Sequence, residues 1–271
     1  MSLVWQFFCL LVMLAFSQLA NAQRVKYNFN LDWKLVVGEP TVSSSRTTPP
    51  LVELSQQKGK VQAVTLPHAL NEGEAFRVRQ NELTDTVAWY YKTFNLDATG
   101  KKVFVEFEGV RQCADVYVNH KYVGYHDNGV MAFGFDLTPY IKKGKNEIAV
   151  RVDNRATYVE RSTGVKHQWN DVSFSANYGG ISKNVNLYVT DKVYQTLPLY
   201  SNLGTTGTYI YASNFDIKGR KATVNVESEV KNESGKAQTV GLQVDVIDMN
   251  GKRLARFNGR SKWWHQVLRW R

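Results

Sequence analysis

The chain has 271 residues, 43% hydrophobic and 13% aromatic, which suffices for a buried core and for one large domain or one domain plus part of a second. Its formal net charge is +10, yet seven Lys and Arg without a single Asp or Glu fall within residues 251–271, leaving only +3 for the rest. A nucleic-acid partner needs a basic folded face, so this distribution ranks a basic nucleic-acid-binding protein last among the readings, and the body of the chain is nearly balanced.

Residues 3–20 are apolar apart from Gln6, Ser17 and Gln18 and run into Ala20-Asn21-Ala22. Such a stretch followed by small residues reads as an export signal over residues 1–22, cleaved before Gln23. The expected location is therefore periplasmic or extracellular, with no membrane attachment after cleavage. Cys9 leaves with the signal, so Cys113 stands alone and no disulfide framework can form. A lone cysteine on a strand is read as a small buried hydrophobe.

The mature chain alternates with the period of two that marks half-buried strands. In residues 102–109, Val103, Val105 and Phe107 oppose Phe104, Glu106 and Glu108. Residues 146–154 set Ile148, Val150 and Val152 against Ala149, Arg151 and Asp153, and residues 184–190 set Val185, Leu187 and Val189 against Asn186, Tyr188 and Thr190. Turn signals at residues 98–100, 119–120 and 143–146 separate them. Short strands with polar turns and no long helical periodicity predict an all-β chain built as a β-sandwich.

Around residues 191–203, Pro198 and the 201–204 stretch predict a connection between domains. The expected organisation is a first sandwich over residues 23–192 and an incomplete immunoglobulin-like sandwich over 193–257. In the second, Ala222, Val224, Val226 and Val230 share a face, Leu242, Val244 and Val246 form another, and Asn250-Gly251 turns a hairpin. Residues 258–271 are expected to be an aberrant or truncated basic tail, because Trp and Arg crowd there without alternation.

The five histidines show no metal-ligand spacing, and neither a nucleophile elbow nor a phosphate loop is present, so no metal and no cofactor are implied. Glu72, Glu82, Glu147 and Glu233 each follow an Asn. Glu106 and Glu108 share a strand face, an ordinary arrangement on the polar side of a sheet.

In order along the chain stand LDWK (31–34), LPH (66–68), WYYKTF (89–94), VFVEFEGV (103–110), DVYVN (115–119), YVG (122–124), FGFDLT (133–138), NEIAVRVDN (146–154) and NYGGI (177–181). This series resembles the sugar-binding domain of glycoside hydrolase family 2, with β-galactosidases compared first and β-glucuronidases and β-mannosidases next. The resemblance implies a jelly-roll, galactose-binding-like sandwich followed by an immunoglobulin-like one. In whole enzymes a (β/α)8 barrel follows and carries both catalytic glutamates, so no catalytic residue is expected here. The sequence departs from the family at His120, where a hairpin glycine is usual, and at Asn128, often glycine. Loops of this domain reach the active-site mouth in the family, which implies sugar contacts from Asp85, Asp127, Asn128, Trp169 and Asp171. Carboxylates and amides bond sugar hydroxyls and an aromatic ring stacks on the apolar sugar face. Asp127 and Asn128 also suit a turn, and Trp169 a core. The implied function is a non-catalytic portion of an exported β-glycosidase that binds a β-glycoside. A free-standing carbohydrate-binding module is the alternative.

Overall fold

The computed structural model describes residues 24–39, 61–74, 86–129, 131–166, 178–263 and 267–270. In chain order the first part holds β1 (Val25–Asn28), β2 (Trp33–Val37), β3 (Gln62–Val64), β4 (His68–Ala69), β5 (Val87–Leu96), β6 (Lys102–Phe107), β7 (Cys113–Val118), β8 (Lys121–His126), β9 (Phe133–Asp136), β10 (Gly144–Asp153), β11 (Gly180–Ile181) and β12 (Val185–Thr190). The second part holds β13 (Val193–Gln195), β14 (Thr208–Asp216), β15 (Lys221–Asn232), β16 (Gln238–Ile247), β17 (Arg253–Trp263) and β18 (Val267–Trp270). The chain is all-β, as its alternation predicts.

Two antiparallel sheets make the first sandwich, one ordered β1-β12-β6-β9 and the other β3-β2-β5-β10-β7-β8. The core between them is supplied by the faces that alternation assigns inward: Val103, Val105 and Phe107 from β6, Ile148, Val150 and Val152 from β10, and Val185 and Leu187 from β12. Each such side chain, removed from water, contributes roughly 1.5–3 kcal/mol. Phe107 and Phe133 stack at 4.9 Å between ring centroids, and Trp33 closes one edge, its indole N–H donating to the Phe29 carbonyl at 2.7 Å.

Phe104 and Tyr188 face away from this core yet are also buried, because the connecting segment lies over them with Tyr194, Leu197 and Leu199. Gly134 makes that approach possible: a Cβ there would stand 2.5 Å from Leu199 Cδ1. Glu106, expected on a solvated face, accepts from the Tyr188 hydroxyl at 2.7 Å and from the Asn186 amide at 3.0 Å.

In the second part the sheets are β13-β15-β14, with β18 also on β15, and the hairpin β16-β17. Between them runs an apolar groove of about 460 Å³ lined by Val224, Val226, Leu242, Val244, Val246 and Phe257. Strands extend past residue 257 into the basic stretch. β17 continues to Trp263, opposite Gln238, and Val267–Trp270 pairs with β15. Strand pairing satisfies backbone groups whatever the side chains, so polar Arg and Ser in a paired strand leave no alternation to read.

Asn146 organises one end of the first sandwich. It is fully buried; its amide donates to the carbonyls of Lys142 and Gly144 at 2.8 Å and its oxygen accepts from Lys142 N and Asn119 Nδ2. Asn146→Ala leaves these groups without partners in the interior. The expected cost is about 3 kcal/mol, a fall in Tm of roughly 6–12 °C by calorimetry.

Candidate functional site

Strand register gathers one set of loops at one end of the sandwich. Asp153 at the end of β10 pairs with Val87 at the start of β5 and with Cys113 at the start of β7, and Ala114 pairs with His126 at the end of β8. Asp127 and Asn128 follow β8 directly at this end. Asp85, Trp169 and Asp171 lie outside the described residues.

Asp127 is buried, and its carboxylate accepts from the Arg161 backbone N–H at 2.8 Å and from the Ser162 N–H and hydroxyl at 3.3 Å. It thus fixes the turn at residues 160–163 against the end of β8. Asn128 is half-buried beside it. The structure brings these two together with residues that sequence reasoning passed over. Arg161 forms a two-pronged pair with Asp115, both contacts at 2.7 Å, and its guanidinium lies 4.6 Å from the centre of the Tyr125 ring. The signal was a charged Asp115 inside β7, a strand buried along its whole length: such a carboxylate requires a partner.

The same sheet face carries a wider ion network. Arg151 donates to Glu39 at 2.8 Å and approaches Asp153 at 3.3 Å, and Asp153 accepts from Arg155 at 2.7 Å. Burial works against ionising Asp153, but the hydrogen bonds and charges of Arg155 and Arg151 outweigh it and hold the carboxyl below its ordinary range. Arg161 is pushed well above its ordinary value, first by its hydrogen bonds to Asp115.

Cys113 is fully buried, and burial pushes its thiol up to about 12, so it is inert packing as expected. His68 Nδ1 lies 2.9 Å from the Tyr90 hydroxyl; His68 itself is half-buried in β4, paired with Ile181 of β11. Gly180 has φ +124°, and a Cβ there would meet that hydroxyl at 2.6 Å, which explains the glycine pair of residues 179–180 structurally. Among the described residues no group of three or more His, Cys, Asp or Glu is arranged to hold a metal ion, and no helix is long and apolar enough to cross a membrane. Two of the described glutamates that follow Asn are held by neighbours: Glu147 Oε2 lies 3.2 Å from His120 Nε2, and Glu233 pairs with Lys102 at 2.6 Å and with Lys231 at 2.7 Å.

Residues 55–191 match the sugar-binding domain of glycosyl hydrolases family 2. The chain belongs to glycoside hydrolase family 2. Its relatives include a β-glucuronidase of Formosa agariphila, 36% identical over a match 252 residues long that covers 89% of this chain and 24% of the relative. A β-galactosidase of Thermoanaerobacter pseudethanolicus is 39% identical over 132 residues, 47% of this chain and 17% of that enzyme. Among solved structures, a family 2 β-glucuronidase superposes with a TM-score of 0.77 at 33% identity, over 93% of this chain and 26% of that one. The chain thus spans about a quarter of the length of such family 2 members.

His126, between Asp127 and the core, is buried and stacks on Phe133 at 4.3 Å. Burial lowers its pKa below the ordinary 6.5, against the raising influence of the Asn128 backbone and the Asp127 charge. The unfolded chain therefore takes up a proton first on acidification, so stability present above about pH 6.5 is lost as pH falls through that value toward the folded one. A second loss follows below about pH 4 as Asp153 is protonated. Urea unfolding at pH 7 and pH 5 should show the first decline, and His126→Gln should flatten it whatever the variant's absolute stability.

Proposed function

We propose that this stretch is the sugar-contacting front portion of an exported, exo-acting β-glycosidase, recognising a terminal β-galactoside or β-glucuronide and holding no catalytic carboxyl pair of its own. The match to the family's sugar-binding domain carries this reading. The Asp127–Asn128 turn supports it, because it stands at the sandwich end where β5, β7, β8 and β10 all have their loops. There Asp127 holds the 160–163 turn in place and Asn128 supplies contacts to sugar hydroxyls, and the family resemblance adds Asp85, Trp169 and Asp171 as further sugar contacts. The longer alignment with the β-glucuronidase weighs toward a glucuronide, where the motif series alone pointed first to galactosides. Hydrolysis with retention needs two carboxyl groups about 5–5.5 Å apart and free to react. Glu106, Glu147 and Glu233 are instead committed to structural partners. The apolar segment over residues 3–20 supports export.

Residues 23–271 should release no nitrophenol from a panel of nitrophenyl β-glycosides that a whole family 2 enzyme cleaves. They should bind methyl β-galactoside or methyl β-glucuronide weakly, with Asn128→Ala reducing affinity about fivefold, the loss of one or two hydrogen bonds. Turnover abolished by a single Glu→Gln change would overturn the non-catalytic reading. Tight binding by the chain alone would favour a free-standing carbohydrate-binding module. N-terminal sequencing of the exported chain should begin at Gln23.

A further inference from the structure

The far end of the first sandwich carries a different chemistry. β10 runs ten residues from Gly144 to Asp153, so at about 3.3 Å per residue its two ends lie roughly 30 Å apart. At the end away from Asp127, Gly144 pairs with Leu96, and the β5–β6 turn, the β9–β10 loop and the first residues after β12 converge. They border an open cleft of about 350 Å³ lined by the apolar Val103 and Ile141 and by the exposed Lys101, Lys142, Lys143 and Lys192.

Two of these cations are balanced and two are not. Lys101 pairs with Asp191, and Lys143 with Asp97 at 2.9 Å. Lys142 and Lys192 form no ion pair among the described residues. The other carboxylates bordering this end are engaged elsewhere, because Asp136 and Glu233 both hold Lys102. The cavity therefore keeps a surplus of two positive charges on a concave surface, where a low-dielectric wall focuses the field. The loop that brings Lys142 and Lys143 there is rigid, since Asn146 bonds both the N–H and the carbonyl of Lys142.

We propose that this lysine-lined cavity binds a sulfate- or phosphate-class oxyanion, free in solution or carried as an ester on an anionic saccharide. Lys142 and Lys192 supply the charge-assisted hydrogen bonds, while Lys101 and Lys143 can turn from their carboxylates toward the ligand. The volume accommodates the oxyanion together with part of a sugar ring. This site stands apart from the Asp127 end and does not depend on sugar contact there.

The test is titration calorimetry of the whole chain at low ionic strength with sodium sulfate, galactose 6-sulfate and unmodified galactose. Sulfate and galactose 6-sulfate are expected to bind at one site, with affinity falling as salt is added. Lys142→Gln/Lys192→Gln should weaken both at least about tenfold, or 1.4 kcal/mol. Lys218→Gln/Lys221→Gln, which removes the same charge from the second sandwich, should leave affinity within about twofold. Equal affinity for the two anions identifies the free ion as ligand, and tighter binding of the ester identifies a sulfated saccharide. Absence of binding by both anions, or equal losses in the two double variants, overturns the proposal. Unfolding curves of both variants establish that the change is in binding and not in folding.

Discussion

Strand β10 is the member on which the first sandwich depends. It is paired along all ten of its residues with β5 and over its last six with β7, which locks the register of the larger sheet. A slip of one residue would turn Ile148, Val150 and Val152 out of the core and bring Arg151 and Asp153 into it, an exchange of apolar burial for buried charge. Because register is thus fixed, the loops at the two ends of β10 are fixed too. One end presents Asp127 and the turn it holds; the other presents the lysines. Opposite ends of a single strand keep two chemically unlike surfaces apart.

The outward face of the same sheet is organised by charge. Glu39, Asp115 and Asp153 balance Arg151, Arg155 and Arg161, with the side chains of Asp115 and Asp153 almost wholly buried. Pairs of this kind add little net stability, because desolvation offsets most of the attraction, but losing one partner strands the other in the interior. Their effect here is positional. The Arg161–Asp115 pair and the Asp127 carboxylate together tie the 160–163 turn, which follows β10, to β7 and to the end of β8.

Alternation in the sequence revealed the inward faces of β6, β10 and β12, because burial on one side of a strand leaves a period-two record. It could not reveal that Phe104 and Tyr188 on the opposite face are also covered, since an aromatic residue among Glu and Asn looks the same whether exposed or overlaid. The roles of Asp127 and Arg161 were only half legible. A short polar run after a strand identifies a turn, but the partner of Asp127 lies more than thirty residues on, and no local pattern records such a pairing. The lysine cavity was invisible for the same reason: its cations come from three separate turns. The Asn250-Gly251 turn announced the start of β17, but its continuation past Phe257 and β18 escaped notice because they are held by backbone pairing, which no side-chain pattern reports.

Phe104 packs on Tyr194 at 5.3 Å, and Lys102 reaches from β6 to Glu233, the residue just beyond β15. β6 is therefore sandwiched on both faces, by its own core on one side and by the connecting segment on the other. The Asn202 amide, further along that segment, donates to the Tyr125 carbonyl at 2.8 Å. The junction is consequently an elbow set by packing, not a swivel. Beside the Lys102–Glu233 pair, Leu199 against Gly134 and Asn202 on Tyr125 join the connecting segment to β9 and β8, whose connecting turn carries Asp127. The direction in which the candidate sugar-contact surface faces is mechanically tied to whatever the second sandwich is anchored to.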